Sequence, residues 1–159
     1  MNLFALNILL AVVWAALVAD FSALSLIFGF HIGFAALWMA QPLFSERSPY
    51  FVRLWRTLRL TVYFLYELVV SSIRVAWDVI TPTHLSNPAI IEMPLDVKSD
   101  IEILLVTNLI SLTPGTLSLD VTPDRSTLIV HAMFADDPDA LVRELKGGME
   151  RMVREVFET

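Results

Sequence analysis

With 159 residues, 56% of them hydrophobic, and a mean hydropathy of +0.65, the chain lies outside the range of soluble globular domains. The absence of cysteine excludes disulfides, thiolate metal sites and cysteine nucleophiles, and a formal charge of -6 argues against nucleic acid, whose phosphates an acidic surface repels. That charge is uneven: residues 1–82 carry five Arg against Asp20, Glu46, Glu67 and Asp78, whereas residues 83–159 carry six basic and thirteen acidic side chains.

From Leu3 to Phe44 there is no Lys or Arg and a single acid, Asp20, so a water-soluble fold would have no polar face for solvent. One helix crosses a hydrocarbon core of about 30 Å with roughly 20 apolar residues. The stretch therefore predicts two crossings. Asp20 and Ser22 interrupt it near its middle, which gives an antiparallel transmembrane hairpin of Leu3–Ala19 and Phe21–Leu43, each helix satisfying its own backbone in lipid. A cleaved signal peptide would need a basic region before its apolar core. Asn2 supplies none, and a second apolar run follows at once.

Small residues recur every four positions in both helices, as Ala11, Ala15 and Ala19 and then as Ser25, Gly29 and Gly33. Such strips let another helix approach closely, within the hairpin or from a neighbouring chain, although ordinary Ala and Gly usage in membrane helices produces them too. His31 falls about midway along the second helix. An ionisable group there is a functional candidate. A neutral imidazole bonded to a neighbouring carbonyl is the alternative.

Arg47, Arg53, Arg56 and Arg59 follow, interleaved with Glu46, Tyr50, Phe51 and Trp55. Basic residues beside a span are retained in the cytoplasm, and Trp and Tyr favour the headgroup level. The hairpin is thus expected to begin and end inside, with Asp20 outside.

Leu54–Ile80 reads as one long helix. At 100° per residue, Arg56, Arg59, Tyr63, Glu67, Ser71, Arg74 and Asp78 share one polar seam, and apolar residues cover the rest. Two readings stand. If the helix spans the bilayer, Glu67 lies near the midplane as a proton-relay or subunit-contact candidate. If it lies along the cytoplasmic interface, the seam faces water or a partner, with Glu67, Arg74 and Asp78 as ordinary surface pairs.

Thr81-Pro82-Thr83 ends that helix and Ser86-Asn87-Pro88 makes a linker. Ala89–Leu95 predicts an edge strand and Asp100–Leu112 a helix that Thr113-Pro114-Gly115 stops. Thr116–Val121 and Thr127–Phe134 form a hairpin around Thr122-Pro123-Asp124-Arg125, and Asp136-Asp137-Pro138 caps a last helix. The result is a small acidic α+β domain of order β-α-β-β-α. Its size is near the lower limit for independent folding, so it is expected to dock on something. The organisation expected is 1–44 transmembrane hairpin, 45–82 Arg-rich junction and third helix, and 83–159 cytoplasmic domain.

No cofactor or metal is expected. His84 and His131 stand alone in different elements, and the acids at 136, 137 and 139 cap a helix more simply than they bind calcium. Ser111, Ser118 and His131 come without a nucleophile elbow, and Gly147-Gly148 sits inside a helix rather than in a phosphate loop. Nothing points to an enzyme.

The stretch Ser111–Val121, SLTPGTLSLDV, with the later VHAM at Val130–Met133, closes an order of paired apolar spans, Arg-rich junction and third apolar segment. In this combination, which includes Pro114, Gly115 and His131, the whole chain resembles the E subunit of Mrp-type multisubunit cation/proton antiporters. The resemblance implies a small component of a bacterial plasma-membrane complex that exchanges sodium or other monovalent cations for protons. Larger subunits would hold the ion routes, and this one would serve assembly and support. Three apolar segments with few intramembrane ionisable groups are indeed too small for a gated two-sided route of their own. Two alternatives are a direct part in the proton route through Glu67 or His31, and a membrane-anchored adaptor whose tail binds a soluble protein.

Overall fold

A computed structural model of the chain describes residues 3–41, 49–82 and 85–158. The expected helix end at Leu43, and Glu46, Arg47 and His84, lie outside them. The chain divides into two compact units, Met1–Leu54 and Trp55–Thr159.

The first unit is a hairpin of α1 (Leu3–Leu17) and α2 (Ala23–Ala40). Both helices are shorter than expected, because the turn takes more chain. Ala19 adopts φ 53°, and the Asp20 carboxylate accepts from the amide and hydroxyl of Ser22, each at 2.9 Å. Ser22 in turn caps α2 by accepting from the amide of Ser25. Of the elements described, α2 and the later α3 are long and apolar enough to cross a membrane, while α1 is apolar but only 15 residues long. Phe34, Tyr50 and Phe51 form an aromatic cluster, with Phe4 against Tyr50.

α3 (Tyr50–Ile80) runs on into the second unit. There follow β1 (Ala89–Pro94), α4 (Asp100–Leu112), β2 (Thr116–Val121) and β3 (Thr127–Ala132). The last helical stretch comprises α5 (Pro138–Leu145), a π turn (Lys146–Glu150) and α6 (Arg151–Phe157). The three strands form an antiparallel sheet of order β1-β3-β2, with a bulge in β2 between Ser118 and Asp120. Leu128, Val130 and Ala132 alternate to the buried face of β3. Leu128 and Val130 join Ile91 and Met93 of β1, Ile103, Val106 and Ile110 of α4, and Met149, Met152 and Val153 in one core. Leu60 of α3 belongs to that core, and Tyr63 and Phe64 pack against it. The third helix is thus a structural part of the tail's unit from Trp55 onward.

Local chemistry explains the elements. Ser99 and Glu102 form a capping box at α4, and the hydroxyl of Ser99 holds the Glu102 carboxyl below its ordinary value. At the other end Thr113 closes α4, and Gly115 takes φ 92°, which lets the chain reverse into β2. The polar residues of SLTPGTLSLDV stitch this corner. Thr113 donates to the Leu109 carbonyl, Thr116 to those of Ile110 and Thr113, Ser118 to that of Thr107, and Ser111 accepts from the Ser118 amide.

Candidate functional site

Three sets of residues are candidates, and the fold treats them differently. In the hairpin, Ala11 and Ala15 of α1 and Ser25, Gly29 and Gly33 of α2 are all buried, and the two strips lie against each other. A methyl group at Gly29 would sit 2.9 Å from both the Ala11 carbonyl oxygen and Trp14 Cβ, and one at Gly33 would strike Asn7 Oδ1. The close approach is therefore internal to the hairpin. Ala19 is a correction: it lies past the end of α1, exposed in a left-handed turn conformation, and takes no part in the strip.

The same seam buries a polar residue that small-residue spacing does not reveal. Asn7 is fully buried and donates through Nδ2 to the Tyr50 hydroxyl at 2.9 Å. In an apolar setting such a bond fixes which part of the chain meets which. His31 is exposed on α2, with Nδ1 at 2.7 Å from the Ile27 carbonyl and its ring edge-on to Phe30. It stands outside the buried strip of Ser25, Gly29 and Gly33.

The polar seam of α3 faces the tail. Arg56 donates to the Glu155 carbonyl and, at 2.5 Å, to that of Glu158, and Arg59 pairs with the Glu155 carboxylate at 3.5 Å. Tyr63 lies in the notch at Gly148, where even a methyl group would collide with its hydroxyl. One turn on, Glu67, Ser71 and Arg74 line a cavity of about 70 Å³ together with Tyr63, Pro114, Gly115 and Glu144. The Arg74 guanidinium lies 5.9 Å from the centre of the Phe134 ring. At the far end Asp78 is buried and accepts from the amides of Leu85 and, at 3.0 Å, Ser86, which ties down the chain as it leaves the helix. Four seam residues and Pro114-Gly115 of the tail motif thus meet at one small cavity, of a size for ordered water.

His131 does not join them. It lies on β3 between Ile90 of β1 and Leu117 of β2, on the sheet face turned away from the core. Among the described residues no group of three or more His, Cys, Asp or Glu could hold a metal ion. A second residue beyond the reach of spacing is Glu150, whose buried carboxylate accepts from the amides of Asp96 (2.5 Å) and Val97 (3.2 Å) and lies 3.6 Å from Lys146. It anchors the β1–α4 connection across more than fifty residues of chain, a contact that no local pattern announces.

Comparison with known proteins gives a consistent result. A family model described as Na+/H+ ion antiporter subunit matches residues 7–156. The chain is 31% identical over 151 residues to the E subunit of the Na(+)/H(+) antiporter of Alkalihalophilus pseudofirmus, covering 95% of each chain. It is 32% identical over 153 residues to the E1 subunit of the Na(+)/H(+) antiporter of Staphylococcus haemolyticus, covering 96% of each. Among solved structures, a chain of the membrane-bound sulfane sulfur reductase, an archaeal respiratory membrane complex, shares the fold with a TM-score of 0.61 at 23% identity and 98% coverage of both chains. A chain of the Mrp complex from a Dietzia species is 28% identical, with a TM-score of 0.48, over 62% of this chain and 94% of that one.

Proposed function

The chain belongs to the family of Na+/H+ antiporter E subunits, and from that premise we propose that it supports a multisubunit cation/proton antiporter rather than carrying its ions. Residues 1–44 form the membrane hairpin, 45–82 the basic junction and third helix, and 83–159 a domain on the cytoplasmic side, where the arginines after the hairpin hold it. The complex works in a bacterial plasma membrane, and its larger subunits carry the ions.

One observation carries the supporting role: the seam that holds Glu67 is covered by the chain's own tail, from Arg56 against Glu155 to Asp78 against Ser86. A proton relay needs titratable groups within reach of one another and of water on both sides. Among the described residues, the buried polar groups of the hairpin are Asn7 and Ser25, which do not titrate in the working range, and Glu67 opens into a cavity that holds a few waters at most. These groups suit scaffolding better than conduction.

The test is a Glu67→Gln variant in the intact complex. We expect full assembly and unchanged antiport. An assembled complex that has lost antiport would sink the supporting role and put Glu67 in the proton route.

A further inference from the structure

We infer that α3 lies flat in the cytoplasmic membrane interface, with the face opposite the tail immersed in lipid, and does not cross the bilayer. The helix has two faces of unequal fate. Leu60, Tyr63, Glu67, Ser71 and Asp78 turn toward the tail and are buried or half-buried. On the opposite side Trp55, Val62, Val69, Ile73, Trp77 and Ile80 form a stripe in which every residue is more than half exposed, from 57% at Val69 to 71% at Ile80. That stripe follows the i, i+3, i+7 spacing of a single helical face for the whole length of α3.

Length decides between lying and crossing. The tail holds α3 from Arg56 to Asp78, about 33 Å of helix at 1.5 Å per residue, which is the full thickness of a hydrocarbon core. Were α3 to cross, the tail strapped along it would lie in the hydrocarbon as well. Its surface carries Glu92, Asp100, Asp120, Asp124, Asp136 and Asp137, and most of these acids are exposed. Acids in that number have no place at that depth. A helix parallel to the surface keeps them in water and still removes the apolar stripe from it.

The occupant is lipid because α3 follows next in the sequence after an apolar hairpin, which places its start near a membrane surface. The stripe also has the composition of that boundary. Trp55, Tyr66 and Trp77 are exposed along it, aromatic residues of the kind that favour the headgroup level. Burial of 5–10 Å is typical of such helices.

Because the chain lacks cysteine, single thiols report cleanly. Leu58→Cys, Val69→Cys and Ile80→Cys, each carrying a nitroxide, are read in the full-length protein in phosphatidylethanolamine–phosphatidylglycerol vesicles, by relaxation with oxygen against a water-soluble nickel chelate. All three are expected at one shallow depth, within about 5 Å of each other, given the typical burial of an interfacial helix. Depth that peaks at residue 69, near the bilayer centre about 15 Å down, with both ends shallow, means a crossing helix and overturns the inference. Labels shielded from both reagents mean that protein covers the stripe, and that overturns it too. Should a labelled variant fail to insert, Trp55 and Trp77, in a chain with Trp14 and Trp38 replaced by Phe, give the same depth reading through lipids brominated at different carbons. Neither reading depends on whether Glu67 carries protons.

Discussion

The hairpin and the tail unit reach close packing by opposite means. In the hairpin most of the buried residues are small or polar (Asn7, Ala11, Ala15, Ser25, Gly29, Gly33), and large apolar side chains such as Leu9, Leu17, Phe28 and Trp38 point outward. The tail buries Ile91, Met93, Val106, Ile110, Leu128 and Val153 and leaves most of its acids outside. Each arrangement follows from its solvent. Lipid offers no hydrophobic gain for burying Leu against Leu, so helices there associate through shape and a few polar contacts. Water does offer it, at about 25 cal/mol per Å² of apolar surface removed.

The sharpest way to break this contrast is to put a large apolar residue into the hairpin seam. Gly29→Leu places its side chain against the Ala11 backbone, which cannot yield as a flexible side chain can. It should cost about 3 kcal/mol, the upper end of ordinary overpacking. The expected outcome is that α1 and α2 separate and the protein fails to join its complex, read by co-purification with the other subunits.

A pair of adjacent glycines sharpens the contrast on the tail side. Gly148→Ala forces Tyr63 off its notch, whereas at Gly147 an added methyl group meets nothing within 4 Å. Thermal melting of the full chain in detergent should show Gly148→Ala destabilised by about 1–3 kcal/mol. Gly147→Ala should be neutral or more stable by up to about 1 kcal/mol. Equal effects at the two positions would mean that α3 is not seated as described.

The smallest expected effect is electrostatic and confined to water. The Glu102 carboxyl, held low by Ser99, stabilises the tail at any pH above its unfolded value, and that contribution disappears as pH falls through its lower folded value. Acid titration should therefore weaken the tail of the natural chain more than that of Ser99→Ala, which already lacks about 1 kcal/mol of capping. The hairpin, with no carboxylate in its seam among the described residues, should show no such difference.

Much of the fold is legible in the sequence where local chemistry decides. Pro114-Gly115 stops α4 at Leu112, the Thr122–Arg125 turn sets the β2–β3 hairpin, and the period of Arg56 to Asp78 defines one face of α3. Ala19 falls outside the hairpin strip because a four-residue period cannot tell the last helical turn from the turn that follows it. Further contacts are out of reach because they join distant positions: Asn7 with Tyr50, Glu150 with Val97, and Tyr63 with Gly148. From the sequence, Gly147-Gly148 is placed inside a helix and given no further role. The structure shows a π turn there that clears room for a ring, a use that depends on a partner far back in the chain.

That notch has a further meaning for how the chain can vary. Tyr63 and Arg74, the two side chains that engage Gly148 and Phe134, are separated by about three whole turns of α3, so both point the same way. Adding a single residue between them would swing one anchor through about 100° relative to the other and uncouple the pair. The stretch from 64 to 73 is thus a ruler of fixed length, free to change its letters on the exposed side but not their number.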